Sequence, residues 1–564
     1  MKKSIYIDIM EKVLEAYKKE DIDAYINAVK KNGLTEHGYP RVVANLGILL
    51  ARGKRNELKE TFCDMMDLCL DEMPTARARN GFDVGNDFSV KEIVFCLLEL
   101  EKAGVFDKEI TDGWRKKLSE LKPLETYSMI APIPPVKTMN WAAFGAASEQ
   151  ARAFAGLPAD VDFIENQIKS QMFAFDENGM YRDPTEPMAY DFVTRLQLAI
   201  ALYCGYDGET REALEEEFIK AADLTLQMQS VTGEIPFGGR SVQFLHNETF
   251  YAALCEFYAS FYKKRGDMKK AGQFKRAAKR SIDALLPWLS INPIRHIKNY
   301  YATDSMYGCE TYAYFDKYMV TAGSWCYFAY LMADDSIEEL PCPAETENGI
   351  YETSEHFHKV FCKYNDYFIE FEMAADPIHD ANGLGRVHKA NAPSTICMTM
   401  PFADAEHLYY KVDIENEAYF AICGAIKTEN GFETSAVPTG KYELKEKEVT
   451  DEFIRVAFAS TLESGKELLE VYTISDSGVA VSVAGDGEVE VLFPVFSFDG
   501  ENYTEIEASE KSVSVTYKGY RCTYKTDGEV VKKYDALANR NGHYEGYAAR
   551  GENQVKLQIS IEKA

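Results

Sequence analysis

Apolar residues recur every three or four positions through about the first 335 residues, and at every second position over much of the rest. Helical spacing runs through 4–19, 40–52, 57–70, 89–104, 141–156, 190–204, 211–229, 247–264, 268–287 and 311–332. In the 247–264 stretch, for example, Phe250, Leu254, Phe257 and Phe261 fall on one face. Turn signals at Gly33, Gly104, Gly205–Gly208 and Gly266-Asp267 separate the stretches, and Ser89-Val90-Lys91-Glu92 reads as a capping box. Roughly ten to thirteen helices joined mostly by short links predict an (α/α) toroid or a helical solenoid. No short-period repeat is present, which argues against tetratricopeptide or ankyrin arrays.

The period changes at a polar stretch, 334–348, that contains Pro341 and Pro343. Alternation then takes over in 357–364, 367–372, 419–426, 453–460, 467–474, 479–483, 488–493 and 512–517, with Gly, Ser and Asp in the links. Many short strands with regular turns predict an antiparallel β-sandwich. The expected chain is therefore α+β and multidomain, with a toroid over 1–335 and a sandwich over 345–564.

Composition narrows the function classes. The 564 residues carry a net charge of −28, which disfavours nonspecific binding to nucleic acid or an anionic membrane. No apolar run is long enough to span a bilayer, and the first ten residues lack a secretory h-region, so a cytoplasmic protein is expected. The twelve cysteines form no C-x-x-C pair and read as free thiols, with no metal site and no cofactor expected. Phosphate-loop, G-x-S-x-G and H-E-x-x-H motifs are absent.

Candidate chemistry concentrates at helix starts. Gly238-Gly239-Arg240-Ser241-Val242-Gln243-Phe244-Leu245-His246-Asn247-Glu248 crowds a cation, an imidazole, two amides and a carboxyl into one loop and first helical turn. Orphan N–H groups and the positive helix end point outward there. Tyr181–Arg195 opens another helix and offers Tyr190, Asp191 and Arg195, while Tyr307–Tyr318 opens a third and offers Tyr307, Glu310 and Tyr312. In a toroid such starts share one rim, so these side chains are expected to line one bowl. Gly383–Lys389 adds Arg386 and His388 from the sandwich, and Trp141 is either core or a sugar platform.

Each residue also has a purely structural account. Glu248 and Glu310 could serve helix dipoles, Asp191 could pair with Arg195 at i+4, and His246 could be a satisfied core histidine. Tyr312 suits a core, Arg386 and His388 suit a strand, and Asp83, Asn86 and Asp87 suit helix capping.

A toroid followed by a sandwich, with segments such as Gly238–Glu248, Tyr307–Tyr318 and Gly383–Lys389, resembles glycoside hydrolase family 154 glucuronidases and, more distantly, heparinase II/III-type and alginate-type polysaccharide lyases. The resemblance implies an enzyme cleaving uronic-acid-containing oligosaccharides. The main expectation is hydrolysis, with Glu248, Glu310 and Asp191 as acid/base carboxyls beside His246. Arg240, Asn247, Gln243, Tyr190, Arg195, Tyr307, Tyr312, Trp141, Arg386 and His388 would hold the substrate. The alternatives are β-elimination with a His or Tyr base, and a non-catalytic sugar-binding toroid. The expected partner is an acidic oligosaccharide, and a homo-oligomer is left open.

Overall fold

The computed structural model describes the chain except residues 75–84, 128–129 and 131, and the side chain of Asp87. Asp83 and the Asp87 side chain therefore lie outside the described residues.

Six helices form a closed ring. Gly38–Ala51 packs on Asn86–Ala103, then in turn come Asn140–Phe154, Met188–Tyr203, Leu245–Lys264 and Phe315–Met332, which packs back on Gly38–Ala51. Ring helices are apolar nearly all round, because neighbours cover them on every side. Leu245–Lys264 is buried from Leu245 to Ala259 without a break. Close crossings need small residues: a Cβ on Gly47 would stand 2.2 Å from Cys96 Sγ. A second layer lies outside. Its helices carry one apolar stripe, as Met268–Leu289 does with Ala271, Phe274, Ala278, Ile282 and Leu285. The two layers are also pinned by charge, since Lys275 Nζ reaches Glu256 at 2.8 Å while Tyr6 donates to the same carboxylate at 2.7 Å. This is an (α/α) toroid.

After a short helix, Pro343–Thr346, the chain turns to antiparallel sheets. Gly349–Glu352, Lys359–Tyr364, Tyr367–Glu372 and Gly383–Lys389 make a four-stranded sheet, and eleven strands make a larger one, among the described residues. The inward positions of Gly478–Phe498 are Val479, Val481, Val483, Val489 and Val491, all buried. Phe371 of the small sheet meets Phe458 and Tyr472 of the large sheet at 4.7 Å between ring centroids. The two sheets therefore close on one core as a sandwich.

Local boundaries differ from the periodicity in several places; the stretch expected as one helix over 4–19, for instance, ends at Leu14 and a new helix starts at Lys19. The helix expected from residue 89 starts at Asn86, and Ser89 Oγ bonds the Asn86 carbonyl at 3.4 Å inside it, so Ser89 is not a cap. The helix expected from 311 starts at Phe315. Of the strand expected over 419–426, only Gly424 onward pairs continuously; Phe420 and Ile422 make single bridges to Phe402 and Leu384.

The sandwich is bolted to the ring through two toroid loops, 229–244 and 290–314. Arg386 donates to the Ile235 carbonyl at 2.7 Å, His388 Nδ1 shares a proton with Ser230 Oγ at 2.8 Å, and Asn541 donates to Gln243 Oε1 at 3.2 Å.

Candidate active site

All six ring helices begin at one open cleft of roughly 590 Å³. Residues at the helix starts, His37 and Arg41, Phe88, Asn140 and Trp141, Tyr190, His246 and Tyr318, line it, with Thr321 a turn further in. Ser241 joins them from the 238–243 loop. Six helix N-termini aimed at one space make it favourable for an anion.

The loop that supplies Ser241 has a tightly folded backbone. Gly238, Gly239, Ser241 and Gln243 all have positive φ, and a Cβ on Gly239 would come within 2.8 Å of Pro187. Glu310 holds the loop from behind by accepting the Ser241 N–H at 2.6 Å. The Ser241 hydroxyl then meets Tyr318 at 2.9 Å, Tyr312 at 3.2 Å and Tyr190 at 3.5 Å. Burial raises the pKa of Tyr318 and Tyr312 well above the ordinary tyrosine value, and neighbouring tyrosines and Glu310 add to it, so both stay protonated. Asn247 donates to the Ser241 carbonyl at 3.1 Å and so stands behind the loop too.

Arg240 stands at the mouth, its guanidinium 4.4 Å from the Tyr190 ring centroid. It donates to the Pro184 carbonyl at 2.7 Å and pairs with Asp183, whose pKa burial lifts to about 6 against the pull of Arg240. On the opposite wall Arg41, 3 % exposed, donates to Thr321 Oγ1 and to His37 Nδ1 at 2.7 and 2.8 Å. That His37 nitrogen carries no proton, and burial with Arg41 and Lys317 nearby lowers its pKa.

His246 is neutral. Burial, with Arg41 and His296 nearby, lowers its pKa from 6.5 to about 3, and its Nδ1 has no hydrogen-bond partner among the described residues. Its ring lies 4.4 Å from that of Tyr318. The linkage follows: the unfolded chain takes up a proton at His246 below about 6.5, whereas the fold does so only near 3, so acidification across that window favours unfolding. The expected slope from this residue is up to ~1.4 kcal/mol per pH unit. Urea denaturation at a series of pH values should show a flatter dependence between pH 5 and 6.5 for His246→Gln than for the native chain.

The three nominated carboxyls are elsewhere. Asp191 is fully buried and takes Arg195 Nε at 2.8 Å and the Tyr181 N–H at 2.7 Å; Arg195 goes on to Thr225 and Tyr258. This is the i+4 pair, locked in the ring wall. Glu248 is fully buried on Lys298, 2.7 Å away, which also holds Glu234 at 2.9 Å. Burial raises the pKa of Glu248 and, although it pushes Glu310 the same way, Arg540 brings Glu310 below its usual range. The two thus differ as an acid and a base should, but neither lines the cleft. The expectation that they share the bowl is corrected: each is neutralised by a buried cation, and Glu310 reaches the cleft only through Ser241.

Six substrate-holding assignments also move, counting Arg195 in the ring wall and Asn247 behind the loop. Arg386 pairs with Glu370 at 3.1 Å and His388 bonds Ser230, so both serve the domain junction, as does Gln243. Tyr307 stacks on Tyr301 at 3.7 Å and donates to the Gly542 carbonyl at 3.2 Å, away from the cleft. Tyr190, His246 and Trp141 do line it, with Arg240 at its mouth and Tyr312 one hydroxyl behind. Sequence reasoning missed His37, Arg41, Asn140, Ser241 and Tyr318. The signal that finds Tyr190 and His246, polar residues in a first turn, also marks Thr35-Glu36-His37-Gly38 and Asn140.

Among the described residues, no group of three or more His, Cys, Asp or Glu is arranged to hold a metal, and no helix is long and apolar enough to cross a membrane.

No protein-family model matches the chain, and no curated protein matches it. Solved structures do. Heparinase III superposes with a TM-score of 0.52 at 7% identity, over 94% of this chain and 78% of that one. A heparan sulfate lyase HepC mutant from Pedobacter heparinus gives 0.49 at 9% identity, over 93% and 76%. Neither is a glucuronidase. At these identities the likeness establishes the toroid-plus-sandwich fold and nothing finer.

Proposed function

We propose that this chain is a polysaccharide or oligosaccharide lyase that cleaves uronic-acid-containing glycans by β-elimination. One observation carries the reading: the cleft where six helix N-termini meet presents Tyr190, His246, Tyr318 and Arg41, and no carboxylate among the described residues. Hydrolysis in most glycosidases uses two accessible carboxyls. Elimination needs a base, a proton donor and a neutraliser for the uronate carboxylate, and those are the residue types at hand. The likeness to heparinase III agrees with it at the level of fold.

The base is assigned to Tyr190. A histidine whose pKa is about 3 is a weak base, whereas a tyrosine phenolate is a stronger one. Arg240 beside the ring offers a counter-charge to that phenolate. Tyr190 takes the proton from C5, next to the carboxylate. The C5–H electrons form the C4=C5 double bond, the C4–O4 bond breaks, and Tyr190 returns the proton to O4. No water is consumed. Arg41, Asn140 and the helix ends face the carboxylate, whose charge grows as C5 is deprotonated. Neutral His246 hydrogen-bonds the sugar without adding charge.

Incubating the protein with hyaluronan, heparosan and alginate oligosaccharides tests this. The expected result is new ultraviolet absorbance from an unsaturated uronate, with product masses that sum to the substrate. Products that gain the mass of one water would reinstate hydrolysis.

A further inference from the structure

A second cavity, of roughly 1370 Å³, opens between the outer helix Met268–Leu289 and the sandwich, on the side of the molecule built by residues outside the cleft. Trp288, Tyr300, Asn391, Ser394, Lys518 and Tyr520 line it. The Trp288 and Tyr300 rings lie 5.3 Å apart at 44°. The indole N–H of Trp288, the amide of Asn391 and the hydroxyl of Ser394 make no hydrogen bond to other described residues. Aromatic faces beside open donors and acceptors suit a sugar, which has apolar ring faces and a hydroxyl edge.

The charges in the cavity are mostly spent. Arg276 and Arg280 are held by Glu345 at 2.6 and 3.2 Å, Glu234 by Lys298, and Asp283 by Lys279. Lys518 is the exception. Its ammonium donates to the Tyr300 hydroxyl and lies 4.0 Å from that ring's centroid and 4.9 Å from that of Tyr517, with no carboxylate in ion-pair reach among the described residues. Its backbone is also unusual. Lys518 and Gly519 form the two-residue turn between Ser512–Tyr517 and Tyr520–Thr526, with φ of 47° and 78°. Both central positions of such a turn favour Gly or Asn, so lysine sits there against its backbone preference. A side chain kept at a strained position points to a task for that side chain.

We propose that this groove is a second glycan-binding site, which holds an acidic chain remote from the catalytic cleft. Lys518 takes a carboxylate or sulfate, Trp288 and Tyr520 stack on sugar rings, and Asn391 and Ser394 meet the hydroxyls. In a chain of net charge −28 a polyanion needs such a local cation to bind at all. The choice of an acidic glycan rests on the elimination reading; the groove's geometry does not.

Calorimetric titration of the full chain, in a Tyr190→Phe background, with hyaluronan and heparin octasaccharides tests it. Lys518→Asn should weaken octasaccharide binding roughly tenfold, the effect of losing one charge-assisted hydrogen bond. Its melting temperature should stay level or rise, because Asn suits the turn. Trp288→Leu should weaken binding similarly, and disaccharide affinity, which reads the cleft, should not move in either variant. Unchanged octasaccharide affinity in both variants overturns the proposal, as does the absence of binding by either octasaccharide. A fall in melting temperature with unchanged affinity would make Lys518 a clamp on Tyr300 alone. Equal affinity for neutral maltooctaose would overturn the acidic assignment. Failure of the elimination reading shows separately, as no unsaturated product from the native protein.

Discussion

Tyr190→Phe should lose roughly 10²–10⁴-fold in kcat for unsaturated-uronate release, with KM little changed, because it removes one oxygen that moves the proton and leaves the ring in place. The loss should be visible against two controls. Glu248→Gln should keep the activity, since Glu248 is fully buried and Lys298 retains Glu234 as a partner. Arg240→Met should lower kcat without abolishing it, because it strips the counter-charge 4.4 Å from the Tyr190 ring. Single-turnover measurements with an oligosaccharide of defined length report kcat free of product release. A Tyr190→Phe enzyme that turns over at the native rate would remove Tyr190 from the reaction and hand the base role to Tyr318 or His246. A collapse of activity in Glu248→Gln, with the fold intact, would bring back the carboxyl mechanism.

The architecture was legible because two periods alternate cleanly along the chain. Three- and four-residue spacing marks helices that bury a face, and two-residue spacing marks strands whose inward positions are Val479, Val481 and Val483. The closing of the ring was legible only as an expectation from helix number and short links, since no local signal says that Phe315–Met332 returns to Gly38–Ala51. The site was half legible. Helix starts rich in polar side chains do converge, and Tyr190 and His246 were found that way. The carboxyls were not separable from them by sequence. Asp191 pairs with Arg195 four residues on, as the spacing allowed, but Glu248 and Glu310 are spent on Lys298 and Arg540, which lie 50 and 230 residues away. Burial beside a distant cation is a property of tertiary packing, and spacing alone does not carry it.

Arg540→Met should destabilise the fold by ~3–5 kcal/mol, the cost of stranding one partner of a buried ion pair. Both side chains are fully buried, and Arg540 grips Glu310 with two bonds, of 2.6 and 3.0 Å, across the junction of sandwich and toroid. In the variant Glu310 keeps the Ser241 N–H but no cation. The deficit should depend on pH with a definite sign. Burial pushes Glu310 up, yet Arg540 holds it below its ordinary value of 4.5, so the pair's contribution is complete above that value and fades as pH falls through the lower, folded one. The variant should therefore lag the native chain most above pH 5 and converge with it in acid. Urea denaturation, read at its earliest transition, measures this. The double variant Arg540→Met/Glu310→Leu should recover much of the loss, because no charge is then left buried, and the cycle of the four proteins gives the coupling directly. Activity should fall in the single and the double variant alike. In the first the junction loosens, and in the second the Ser241 N–H loses its acceptor and the hydroxyl that gathers Tyr190, Tyr312 and Tyr318 is no longer fixed. A double variant that regains stability but not turnover would identify the Arg540–Glu310 pair as the link by which the sandwich sets the geometry of the cleft. Equal stability of all four proteins at pH 7 would deny the pair any structural role.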